Sequence, residues 1–144
     1  MKQQKLIGIY EIIGGLWGIF ITLLNYIDNE QSFLIFLVIL TPFCTVTLAG
    51  VLLYQNQKAG IILTMIIQII QIISFSGNIK YIFCAGPEIG ILIDKNIEFS
   101  FVFILAQFAI GYNSPIFFIK INIIPMLILI WLFLSVKKKS KMLV

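Results

Sequence analysis

The sequence predicts a membrane α-helical fold: four transmembrane helices, with a small extracytoplasmic antiparallel β-rich cap between the third and the fourth. Three observations lead there. Hydrophobic residues make up 60% of the chain and charged ones 11%, with a mean hydropathy of +1.08; a soluble domain is roughly half apolar and a quarter charged. Segments 6–27, 33–54, 60–76 and 121–136 approach the ~20 apolar residues a bilayer helix needs. Between them, the stretch 78–120 alternates in steps of two. The 144 residues therefore read as a single integral-membrane domain.

The first segment, "LIGIYEIIGGLWGIFITLLNYI", follows two lysines, as a signal peptide would. Its apolar part is too long for one, and no small-x-small cleavage site precedes "DNEQS", so it is expected to be a retained anchor. Placed on a helix, Gly8, Glu11, Gly15, Gly18, Thr22 and Asn25 fall on one stripe. The second segment carries Pro42, a candidate kink. "DNEQS" and "QNQKAG" read as tight turns, which makes the first three helices antiparallel neighbours.

In the third segment Thr64, Gln68, Gln71 and Ser74 repeat the spacing of the first stripe. Lipid offers helices little hydrophobic reason to associate, so small and hydrogen-bonding residues do much of that work. The first and third helices are thus expected to face each other, bridged by the second. Thr64 would donate to the Glu11 carboxyl group, with Gln68 reaching it from one turn deeper. Glu11, Gly15, Gly18, Thr64, Gln68 and Gln71 form the candidate stripe, open to two readings. It is a packing seam, or it is a path for ions or protons, because ionisable groups inside a membrane are expensive.

The long connection carries strand patterns. In "IGILIDKNIEFSFVF", Ile89, Ile91 and Ile93 alternate, Asp94-Lys95-Asn96 make a polar turn, and Ile97, Phe99, Phe101 and Phe103 alternate again, which predicts a hairpin. "IKYIFC" and "PIFFIKIN" add flanking strands; in the latter Lys120 and Asn122 fall opposite Phe117, Ile119 and Ile121. A sheet of three or four strands is expected against the outer ends of the helices. The rival reading makes "FSFVFILAQFAIGY" a fifth or re-entrant helix. "CAGPEIG" and "GYNSP" read as turns. The last helix has Asn122 as N-cap and Pro125 in its first turn, and from there to Val136 it rises only about 20 Å.

Charge placement sets orientation. Lys2, Lys5, Lys58 and Lys137, Lys138, Lys139 and Lys141 share one side, against Lys80, Lys95 and Lys120 on the other. Both termini are expected in the cytoplasm, in a setting consistent with a bacterial inner membrane. The net charge of +4 comes from ten lysines without arginine, and most of the lysines lie beside apolar runs, so no nucleic-acid partner is expected.

No chemistry is apparent in the residue inventory. Histidine is absent, Cys44 and Cys84 form no CxxC pair, and no phosphate loop or carboxylate pair occurs. No catalytic, cofactor-binding or metal-ligating residue is predicted. The expected function is that of a non-enzymatic interaction or assembly module, with Glu88, Asp94, Lys95 and Glu98 as the cap surface. The alternative is a homo-oligomeric channel or carrier for ions or protons, using the stripe on helices 1 and 3. The expected partners are the lipid bilayer and a protein, either another chain or a second copy.

Overall fold

The structure, a computed structural model, describes residues 2–28, 32–102, 106–112 and 116–141. Residues 29–31 of "DNEQS", Phe103 of the expected hairpin and residues 113–115 of "GYNSP" lie outside the described residues.

Helices α1 (Lys2–Asp28), α2 (Phe33–Tyr54) and α3 (Lys58–Ile72) come first. Glycines set the approach of α1 to α2. A Cβ on Gly8 would stand 2.7 Å from the Gly50 carbonyl oxygen; on Gly15 it would run into Thr47, and on Gly18 into the Phe43 ring. The glycine part of the α1 stripe therefore faces α2, where α3 had been expected. Between α2 and α3 the chain turns at Asn56, whose φ of 59° is a left-handed conformation that asparagine tolerates. Its N–H donates to the Leu53 carbonyl, and that of Gln57 to Leu52, which satisfies the last carbonyls of α2.

Four transmembrane helices do not form. Among the described residues, two helices are long and apolar enough to cross a membrane, Gln3–Asp28 and Phe33–Tyr54; Lys58–Ile72 and Ile123–Ser135 are shorter apolar helices. The third segment stops being helical at Ile72, and the chain passes directly into strand β1 (Ile73–Ser76). Ile73 and Phe75 favour extended backbone, and strands are available to pair on both sides of it. Strands β2 (Ile79–Ala85), β3 (Glu88–Ile93), β4 (Ile97–Val102), β5 (Ala106–Tyr112) and β6 (Phe118–Asn122) follow. Then β6 runs without a break into α4 (Ile123–Lys141). Asn122 Oδ1 accepts from the Ile124 N–H at 3.2 Å, a cap at that junction.

The chain is thus a mixed α/β fold with a six-stranded antiparallel sheet, in the order β4-β3-β6-β1-β2-β5. This is larger than the expected three or four strands, because "AQFAIGY" is strand β5 and no fifth helix forms there. Nor does the sheet stand off as a cap. It grows out of α3 and ends in α4, and Phe83, Ala85 and Ala106 share a buried core with Phe43, Val46, Ala49 and Ile67 of the helices. A second core joins Ile7, Leu53 and Leu132 near the chain termini.

The sheet must curl. Strands β4 and β5 lie at opposite edges, and only residues 103–105 separate them in sequence. Four Cα–Cα steps of 3.8 Å reach at most about 15 Å, whereas the edges of a flat six-stranded sheet stand about 24 Å apart. At the end nearest the helices the two edges are therefore drawn together, towards a barrel. At one of them α1 packs against β5.

Candidate functional site

Residue pairing across the ladder assigns every strand residue to one of two faces. Ser74 pairs with Lys120, which pairs with Leu92, and Gly90 pairs with Asn122. These residues, with Ser76, Glu88 and Cys84, belong to the inner face of the curl. Ser74, Ser76, Glu88, Lys120 and Asn122 are all buried. Their sequence neighbours Ile73, Phe75, Ile89 and Ile119 are exposed. A soluble one-sided sheet buries its apolar face; over β1, β3 and β6 this one buries its polar face, whereas β2 and β5 also bury Phe83, Ala85 and Ala106 of the other face against the helices.

The same polar file continues into the helices. Thr64, Gln68 and Gln71 follow helical spacing on α3, and after Ile72 the file proceeds through Ser74 and Ser76 at strand spacing. All five are buried, and the file is about 25 Å long at 1.5 Å per helical and 3.3 Å per strand residue.

Glu11, 0% exposed, stands beside its α3 end. Thr64 Oγ1 donates to Glu11 Oε2 at 2.8 Å, and Gln68 Nε2 donates to Oε1 at 3.1 Å. The Glu11 side chain thus crosses from α1 to α3 while the glycines on either side of it pack on α2. Farther along, Lys120 Nζ donates to Glu88 Oε2, a buried ion pair. Cys84 Sγ donates to the Gly86 carbonyl at 2.9 Å. Gly86 has a φ of 137°, and the Tyr10 hydroxyl occupies the place where its Cβ would be, so α1 meets the inner face at this turn.

Several atoms of the file are buried without a hydrogen-bond partner in the protein: Gln68 Oε1, Gln71 Nε2, Ser74 Oγ, Ser76 Oγ and Glu88 Oε1. Native interiors leave few such atoms, and each calls for an explanation.

The structure brings together Glu11, Thr64 and Gln68 of the candidate stripe, keeps Gln71 buried farther along α3, and separates Gly15 and Gly18, which serve the α1–α2 contact. The proposed cap surface divides. Glu88 is not on a surface at all: it is buried against Lys120. Asp94, Lys95 and Glu98 are exposed at the β3–β4 turn and just beyond it. Sequence reasoning put Ser74 on the inward stripe, as a residue of a helix, and missed the inward roles of Ser76, Lys120 and Asn122. The opposition of Lys120 and Asn122 to Ile119 and Ile121 was visible, but not which side faces in. Among the described residues, no group of His, Cys, Asp and Glu side chains could hold a metal ion.

Fold and site together define a mixed α/β protein with two helices of bilayer length and a buried polar file shared by helices and sheet. No family model, curated protein or solved structure matches the chain.

Proposed function

We propose that the protein works in a membrane as a non-enzymatic conduit for protons or small cations, with the buried polar file as its path. One observation carries this reading. A file of buried hydroxyl and amide groups, several with atoms unpartnered by the protein, runs about 25 Å along α3 and β1, with the Glu11 carboxyl group at its α3 end. That is close to the ~30 Å depth of a hydrocarbon core. Groups of this kind can hydrogen-bond water or coordinate a cation. The Glu88–Lys120 pair lets charged groups line the path at no net charge, and leaves Glu11 as the one carboxylate of the file without a basic partner in its contacts.

The membrane setting is supported by the two apolar helices and by the charge distribution. Lys5, Lys58 and the lysines of 137–141 lie at the end of the molecule where α1 and α3 begin and α4 finishes. By the positive-inside rule, that end is cytoplasmic.

The test is proton and cation flux into liposomes carrying the purified protein, wild type beside Glu11→Gln and Gln71→Leu. Flux that falls in both variants while they remain folded supports the conduit. Silent wild-type protein, correctly folded and inserted, overturns it.

A second reading, an interaction module, rests on the exposed β3–β4 tip with Asp94, Lys95 and Glu98. Reversing those three charges would then abolish capture of a partner and leave flux and insertion unchanged.

A further inference from the structure

We propose that acyl chains of the bilayer cover the part of the sheet's outer face that the helices leave open, so that the sheet lies within the hydrocarbon and not above it. This rests on the membrane setting proposed above, and not on transport.

The first argument is compositional. The register places residues 73 and 75 of β1, the odd-numbered residues of β2, β3, β4 and β6, and the even-numbered residues of β5 on the outer face. Each of these positions is Ile, Phe, Ala or Tyr, with no charge and no amide; Phe83, Ala85 and Ala106 of this face are covered by the helices, and the rest of it is the part left to the acyl chains. Charged strand residues are confined to the inner side: Glu88 and Lys120 are buried there, and Lys80 and Glu98 share it. Apolar-out and polar-in alternation is what a strand facing lipid requires.

Exposure supplies the second argument. Phe99 is 86% exposed and Ile97 77%, with Ile89, Ile73 and Phe75 also open. In water this would be a large apolar patch that demands a partner.

The third argument selects the occupant. The apolar surface does not stop at the sheet. It continues over Leu16 and Phe20 of α1, Leu34 and Val38 of α2, and Ile62 and Ile69 of α3. A second copy or a partner protein covers one patch; a fluid of acyl chains covers a surface on several sides at once. Tyr112, 81% exposed at the end of β5 far from the helices, suits the headgroup boundary. An open strand edge is costly in hydrocarbon. The β5 edge has α1 against it, and the curl draws the β4 edge towards the β5 edge at the end nearest the helices.

The experiment places single tryptophans on the outer face. In a Trp17→Phe, Trp131→Phe background, Ile89→Trp, Phe99→Trp and Ile97→Trp would each be reconstituted in vesicles of lipids brominated at defined acyl positions, with iodide as the aqueous quencher. The expected result is strong acyl-chain quenching in all three. The depth of greatest quenching should shift from deep to shallow in the order 89, 99, 97, with little loss to iodide. Quenching by iodide alone would mean a cap in water; protection from both quenchers would mean a protein partner or a second copy. Either overturns the proposal. A protein retaining only Trp17 is the control for the setting. If Trp17 is quenched by the brominated chains and the sheet positions are not, only this inference falls. If Trp17 also escapes, the membrane setting falls with it. Any one of the three exposed positions suffices should another variant fail to fold.

Discussion

Glu11 accepts from two donors and has no basic partner in those contacts, so its neighbours can be tested by shape and by polarity separately. Glu11→Gln keeps size and one acceptor, and the Thr64 hydroxyl can rotate to accept from the new amide. Its melting temperature in detergent should stay close to that of the wild type. Glu11→Leu leaves both donors without a partner in a buried site, and should cost on the order of 1–3 kcal/mol. Equal melting temperatures for the two variants would show that the contacts contribute nothing. The Glu88–Lys120 pair behaves differently. Removing one partner strands the other charge, so Glu88→Gln and Lys120→Met singly should each lose about 3–5 kcal/mol, while the double variant recovers most of it. Additive losses in a double-mutant cycle of chemical unfolding would show the two groups to be uncoupled.

At the scale of the element, the α1–α2 contact depends on backbones meeting. Gly8→Ala forces a methyl group against the Gly50 carbonyl and the Tyr54 backbone, and should destabilise the protein by about 1–3 kcal/mol. Gly111→Ala in β5 has open space around the new methyl and should stay within about 0.5 kcal/mol. Thermal unfolding of the two variants side by side checks this. The same elements show what is legible in the sequence. The helix Phe33–Tyr54 and the Ile93↔Ile97 hairpin stand out, because one is a long apolar run without a charge or an amide and the other alternates around a polar turn. The end of α3 does not stand out. "IIQIIQIISFS" reads as one amphipathic helix until the polar step shortens from three and four to two at Ser74 and Ser76. Strand β5 hides in an apolar run with little polar contrast, which periodicity cannot separate from a helix. The site was partly visible: Glu11, Thr64 and Gln68 share a spacing that brings them together, whereas the inner face of the sheet depends on long-range pairing that no local pattern encodes.

For the whole molecule, the membrane setting predicts how thiols respond. Cys44 is exposed on α2, and Cys84 is buried in β2. In intact membranes a charged maleimide should spare both, and should modify Asp94→Cys in a Cys44→Ala, Cys84→Ala background from the side opposite the termini. Rapid modification of Cys44 would place α2 in water. The position of β6 has a further consequence, for the order in which the chain is made. In the ladder β4-β3-β6-β1-β2-β5, β6 alone joins the β3–β4 pair to the β1–β2–β5 group. As the chain leaves the ribosome, α1 to β5 emerge as two unjoined pieces of sheet, and Glu88 waits without Lys120. The strand that unites them, carrying that lysine, emerges after both pieces and is followed by α4. A nascent chain halted before Phe118 would hold two loose sheet fragments and an unpaired acid, which is the state most open to quality-control proteases.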